Sequence, residues 1–210
     1  ILSSFTLNGL DESLHVKCSK LGIKYHSHVS GYDQYNQELL NSKSDLYEFS
    51  PDITFLILDI RKFFGEYFFK LHTISDSEKE SFLKEKVDVI ENLIINFERN
   101  LNSKLVITNF NIPYYSPNGI IETKMELGFH EIIEKMNRAI IKISKTHSSV
   151  YVYDFNLFVS KYGEKNIFDY RQFHVGDIQI ALNFIPYFAY DLMSYIKPIT
   201  GTNRKCIVLD

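Results

Sequence analysis

"DITFLILDI", Asp52–Ile60, is the stretch that decides the fold. It is almost unbroken apolar sequence. A strand with one wet face alternates; a strand covered on both faces reads like this one. Working outward, similar runs recur. "ILSSF" (1–5) is a short strand signal already under way at the first residue, and "IKYHSHV" (23–29) alternates and is rich in β-formers. Downstream come "KLVITNF" (104–110), "SVYVYDF" (149–155) and "RKCIVLD" (204–210). Helical patterns lie between them. Leu10, Leu14 and Cys18 are four apart within 9–20. Residues 76–102 have an acid-rich first turn that Asp76 or Ser77 can cap, and Phe82, Val89, Leu93 and Phe97 form their apolar face. Residues 128–146 place Ile132, Met136, Ile140 and Ile143 on one side, and 175–197 read as an apolar final helix that Pro186 kinks or breaks. Strand alternating with helix predicts an α/β fold, a three-layer, doubly wound, mostly parallel sheet. The stretch 111–127, Tyr-rich with Pro and Gly, reads as a surface loop near the strand ends.

The 210 residues are 45% hydrophobic and 23% charged, enough apolar material for a sizeable core. A net charge of −3 with no basic stripe argues against nucleic acid. No apolar run approaches the ~18 residues of a membrane span, and no signal-peptide pattern is visible. Two distant cysteines, Cys18 and Cys206, suit a reduced, cytoplasmic setting better than a disulfide framework. The chain starts at Ile1 without a Met, which leaves a removed leader open. Both ends cut through strand signals, as in a piece excised from a longer polypeptide.

The residues able to carry chemistry gather at predicted strand ends. Asp59 closes the most apolar run and Arg61 follows. They form either a charged pair at the crevice or a salt-bridged strand end that caps a helix over 60–70. Ser3, Ser4 and Thr6 follow the first strand. Their hydroxyls are a nucleophile needing a base, for which His174 is the candidate, or they cap the first helix. Gly31, after the second strand signal, offers an amide for an oxyanion hole or marks a plain turn. Asn109, at the end of 104–110, joins Gly31, Asp59 and Arg61 as a ligand-binding candidate. His26 and His28 share one face of a strand, a weak metal signal without a nearby carboxylate.

"GYDQYNQELLNSKSDLYEFSPDITFLILDIRKFF" (31–64), "VYVYDFNLFVSKYGEKNIFDYRQFHVG" (150–176) and the tail "RKCIVLD" resemble FkbH-like proteins, which belong to the haloacid-dehalogenase superfamily, subfamily IIIC. The tail matches the "KCLVLDLDNTLWGG" run that opens their phosphatase domain. The resemblance implies an SGNH-hydrolase-like, flavodoxin-like α/β domain over 1–200. Residues 201–210 would be a connector and the first strand of a phosphatase domain in cis. Asp210 would then be the first aspartate of DxDxT, the phosphatase nucleophile and a Mg²⁺ ligand, inactive here without the rest of the motif. No cofactor is expected for 1–200. Against the SGNH blocks, the nucleophile slot falls on Phe5, the second-block glycine on Gly31 and the oxyanion asparagine on Arg61. His174 has Arg171, not an aspartate, three residues before it. Ser4 or Thr6 with His174 would form at most a degenerate site.

Three functions stay open. The first is a non-catalytic module that positions a small phosphorylated or acyl substrate, or the arm of an acyl carrier protein. The second is an active esterase or acetyl hydrolase using Ser4 or Thr6 with His174. The third is a partner-binding module acting through Tyr114 and Tyr115.

Overall fold

The computed structural model describes residues 1–202. The sixth strand signal at 204–210, Cys206 and Asp210 lie outside the described residues. Four parallel strands run in sequence order across one sheet: β1 (Leu2–Ser3), β2 (Ile53–Ile57), β3 (Lys104–Thr108) and β4 (Val150–Tyr153). Around them run α1 (Leu10–Lys20), α2 (Tyr35–Leu40), α3 (Asp45–Phe49), α4 (Ile60–Phe64), α5 (Tyr67–Lys70) and α6 (Asp76–Asn100). The second half adds α7 (Phe129–Thr146), α8 (Phe155–Tyr162), α9 (Glu164–Ile167), α10 (Tyr170–Gly176) and α11 (Ile185–Ile199).

The doubly covered strand read at 52–60 is β2, and its side chains sort by parity. Leu56 joins Leu2, Leu105 and Ile107 under α2, α6 and α7. Phe55 and Ile57 join Val106 and Tyr153 under α1, α8 and α11. Two apolar layers with the sheet between them make the expected three-layer α/β fold. In α7, Ile132, Met136, Ile140 and Ile143 are buried as their spacing requires. Asn137, on the same helix, is the buried polar exception. Its Nδ2 donates to the Phe110 carbonyl and its Oδ1 accepts from the Phe110 N–H, both at 2.8 Å, which clamps the end of β3 to α7.

Four local expectations change. Residues 23–29 are not a ladder strand. Among the described residues their backbone bonds to the first strand's end are made through Ile1, whose N–H group donates to His28 O (2.6 Å) and whose carbonyl accepts from Ser30 N (3.0 Å), the two bonds of one parallel rung. The cap of α6 is Ser75 rather than Asp76 or Ser77, in a full capping box with Glu78. The helix expected over 60–70 breaks at Gly65, which has φ +61°. The helix expected over 175–197 begins only at Ile185: 175–176 close α10, and 177–184 are not helical. Asp177 ends α10 in the left-handed region (φ 49°), and Pro186 sits in the first turn of α11, where its missing N–H costs nothing.

At the sheet's amino-terminal end, Glu98 of α6 accepts from the Ser149 hydroxyl and lies 2.6 Å from His147 Nδ1. Burial pushes its carboxyl up, but the Ser149 and His147 contacts outweigh that and hold it below the ordinary glutamate range.

Two predictions follow from these contacts. Asn137→Ala leaves the Phe110 N–H and carbonyl buried without partners and should cost about 2–4 kcal/mol in chemical denaturation. Because Glu98 binds its proton more tightly unfolded than folded, its stabilisation is present above the ordinary glutamate range and is lost as pH falls through its lowered value. Glu98→Gln should therefore flatten the acid side of a stability–pH curve relative to the parent chain.

Candidate functional site

The four strands deliver their carboxyl ends to one rim, and the candidate residues sit on it. Asp59 follows β2 and caps α4. Its Oδ1 accepts from the N–H groups of Arg61 (3.1 Å) and Lys62 (3.2 Å). The same carboxylate holds the Arg61 guanidinium, with Nε at 3.1 Å from Oδ1 and Nη2 at 3.3 Å from Oδ2. The two readings of Asp59 are thus one arrangement, cap and ion pair together. The guanidinium carbon lies 4.0 Å from the centroid of the Phe173 ring, a cation–π contact. Arg61 Nη1 has no hydrogen bond among the described residues.

The hydroxyls after β1 act as ties. Ser3 Oγ accepts from Phe5 N (3.1 Å). Ser4 is fully buried, and its Oγ accepts from Asp59 N (2.8 Å), joining the ends of β1 and β2. Thr6 Oγ1 donates to Gly176 O (2.9 Å), and Thr6 N donates to Asp177 O (3.1 Å). None of the three caps the first helix, whose N-cap is Gly9 at φ 83° without a side-chain bond. The first helix is held by packing instead, with Leu10, Leu14 and Cys18 buried in the layer that holds Phe188 and Leu192 of α11.

Two concavities lie side by side. The first is a small aromatic cavity of about 50 Å³, with Phe5, Tyr115, Phe155, Phe168 and Phe173 in its wall beside Asp59 and Arg61. It has room for a water or two, at ~30 Å³ each. The second is a shallow open groove lined by Thr6, Tyr32, Lys62, His174 and Asp177. Phe173 belongs to both and forms the wall between them. Thr6 and His174 therefore share a groove, but the Thr6 proton is directed at the Gly176 carbonyl, not at the imidazole. His174 is exposed on the last turn of α10, and among the described residues no carboxylate bonds its ring. Ser4 opens onto neither concavity.

Gly31 lines neither. A Cβ there would sit 2.5 Å from Gln34 Oε1, so the glycine admits a close side chain. Asn109 is consumed within the fold: its Nδ2 donates to Asp154 Oδ1 (2.8 Å), and its Oδ1 accepts from Asn156 N (3.0 Å), fixing the start of α8. His28 Nε2 lies 3.5 Å from Glu38 Oε1, and among the described residues no group of three or more His, Cys, Asp or Glu could hold a metal ion.

The groove also holds a cluster that sequence reading passed over. Tyr32 Oη donates to Asp177 Oδ2 (2.6 Å) and accepts from Lys62 Nζ (2.5 Å), while Lys62 Nζ is 3.4 Å from the same carboxylate. The bond to Tyr32 raises the Lys62 pKa despite partial burial, so the cation stays charged. Burial, then the bond to Asp177, raises that of Tyr32. Lys62 is in α4 and Tyr32 and Asp177 are in loops far from it in sequence, and no periodicity announces the cluster. Phe173, the shared wall, carries no signal beyond being apolar in a loop-rich stretch.

Residues 9–197 match the family model of the FkbH N-terminal domain. No curated protein matches the chain. Among solved structures, the chain is similar to the N-terminal part of the protein BF1531 from Bacteroides fragilis, which contains a phosphatase domain and was crystallised with Mg. The TM-score is 0.84 at 18% identity, over 98% of this chain and 52% of that one, so the likeness speaks for the fold and the chain spans about half of that protein's length. With the family model covering nearly its whole length, this chain belongs to the FkbH N-terminal domain family.

Proposed function

We propose that this domain is a positioning module of an FkbH-like phosphatase polypeptide, and that its SGNH-like site binds rather than cleaves. The observation that carries this reading is Phe5. By the resemblance to SGNH hydrolases it falls on the nucleophile slot; it is 3% exposed and lines the aromatic cavity. The neighbouring hydroxyls of Ser3, Ser4 and Thr6 are each committed to a backbone partner. An activated hydroxyl needs a base within hydrogen-bond reach and a group orienting that base; His174 has neither a bound hydroxyl nor a carboxylate.

The binding half of the proposal rests on Arg61. Arg61 lines a cavity with mostly aromatic walls that also holds Asp59 and Glu164, and its Nη1, without a hydrogen bond among the described residues, suits one oxygen of a phosphate or carboxylate. About 50 Å³ admits only a terminal group. The ligand would enter end-on, as the tip of a small phosphorylated or acyl substrate or of a carrier protein's arm. Mg²⁺ belongs in this proposal to the phosphatase unit in cis, with Asp210 as its ligand. The described residues offer no set that fits it. No helix among them is long and apolar enough to cross a membrane.

A second reading, an esterase using Thr6 with His174, has one observation in its favour: both line the same groove. A panel of short acyl and acetyl esters separates the two. The folded chain should show no turnover above buffer. Turnover that disappears in both Thr6→Ala and His174→Ala would establish the esterase instead.

Binding is checked separately by titrating a three-carbon phosphate. Arg61→Ala should weaken it about tenfold or more, the size of a lost charge-assisted hydrogen bond. Equal affinity in parent and variant would remove Arg61 from the site.

A further inference from the structure

After α9 the chain leaves the core and returns to it across a short stem. Phe168 and Ile180 form an antiparallel bridge, with Ala181 N donating to Ile167 O (2.7 Å) and Asp169 N to Gln179 O (3.2 Å). Ile167, Gln179 and Ile180 are buried. The excursion they close, 170–178, carries α10, and all seven residues of that helix are at least partly exposed. Such a helix takes little of its stability from the core, so its position depends on contacts at the surface.

Those contacts are concentrated at its ends. Asp169 caps the first turn, with Oδ1 accepting from Arg171 N and Gln172 N, both at 3.1 Å. At the far end Thr6 bonds the Gly176 and Asp177 carbonyls, and Tyr32 and Lys62 hold the Asp177 carboxylate. Asp177 has φ 49° there, a left-handed conformation that those partners sustain. Between the two anchors, among the described residues, one hydrogen bond and one cation–π contact join α10 to the rest of the protein. Tyr170 Oη donates to Glu164 Oε1 (3.2 Å), and the Phe173 ring covers the Arg61 guanidinium (4.0 Å). Tyr170 and Phe173 are also the residues by which α10 walls the aromatic cavity.

The other walls are fixed. Tyr115 stacks on buried Phe129, and its carbonyl lies 2.9 Å from His130 Nε2. The loop behind it is gathered on Glu122, which accepts from Ser116 Oγ, Asn118 Nδ2 (2.7 Å) and His130 N (2.8 Å). Glu164 is held too, since its Oε2 accepts from Tyr114 N (3.0 Å). Phe5 and Phe155 belong to the core. A cavity of about 50 Å³ fills with a water or two. Of its walls, α10 is the one able to yield and admit more.

We infer that α10 is a flap over the Arg61 cavity. It turns about the line through Asp169 and Asp177, breaking the Tyr170–Glu164 bond and lifting Phe173 off Arg61 together. Open, it joins the cavity to the neighbouring groove, because Phe173 lines both. Closed, it covers the guanidinium face and leaves Nη1 for an anion. A terminal phosphate or carboxylate enters with the flap open and is held with it closed. That ligand role rests on the binding proposed for Arg61; the motion does not.

Relaxation-dispersion NMR of the backbone amides reads such a motion on the microsecond-to-millisecond scale. Amides 170–176 should share one exchange process that is absent at Gln179, Ile180 and Ala181. Tyr170→Phe keeps the ring and loses the bond, and should raise the open population about fivefold, the effect of one hydrogen bond. Saturating glycerol 3-phosphate should suppress the exchange. Exchange in α10 that is absent, or that Tyr170→Phe leaves unchanged, overturns the flap, even where glycerol 3-phosphate binds and the Arg61 site stands. Exchange that responds to Tyr170→Phe but not to glycerol 3-phosphate supports the flap and overturns its role in holding an anion.

Discussion

The Asp59 carboxylate ties the sheet to everything built at its rim. A strand that ends and a helix that begins both leave backbone groups without partners, and at the end of β2 they meet within two residues. Asp59 accepts from two N–H groups of α4 and from Arg61, while its own N–H is held by Ser4. Next to it, Leu58 N donates to Thr108 Oγ1 of β3 (3.2 Å). Three strand ends are fixed to each other through these bonds. The position of Arg61, and through it the stacking of Phe173, follows from them.

Sheet parity and strand order explain why the rim is there. Taken with the extended segment 23–29 on the far side of β1, the order of strands reverses between β1 and β2. Connections on either side of such a reversal lie on opposite faces, so α1 covers one face while α6 and α7 cover the other. The loops after β1 and β2 splay apart there and leave a crevice at the carboxyl ends. Both concavities of the candidate site open beside it, and the splayed segments carry Phe5 and Thr6 after β1 and Asp59 and Lys62, the cap and first turn of α4, after β2.

Much of this could be read from sequence because the strongest signals are periodic. The apolar run of β2 reports burial on both faces, and the four-residue spacing in α7 reports one face. What could not be read depends on partners distant in the chain. The strand signal at 23–29 was sound as composition, but a ladder needs a neighbour, and only Ile1 provides one. Pro186 breaks a helix only from an interior position; in the first turn of α11 it is a starting signal. Ser75 was missed as a cap because three candidates stand together and only the reciprocal bond with Glu78 distinguishes them. At the site, Asp59 and Arg61 are close in sequence and were legible as a pair. Tyr32, Lys62 and Asp177 are not, and their contact exists only after the loops have folded.

A site built for chemistry leaves polar groups waiting for a substrate. Most of the polar atoms at this rim are already engaged. Ser4 and Asn109 complete turns and caps, Thr6 ties two loops, and Tyr32, Lys62 and Asp177 satisfy one another. Among the described residues Arg61 Nη1, the Tyr115 hydroxyl, the Asn111 amide and the His174 ring carry no hydrogen bond; the first three belong to residues of the aromatic cavity, His174 lines the groove, and Phe173 lines both. Arg61 lines the small aromatic cavity, while His174 lines the open groove. If Arg61 holds a ligand, as proposed, His174 lines a different concavity from the held group, and Phe173 is in the wall of both.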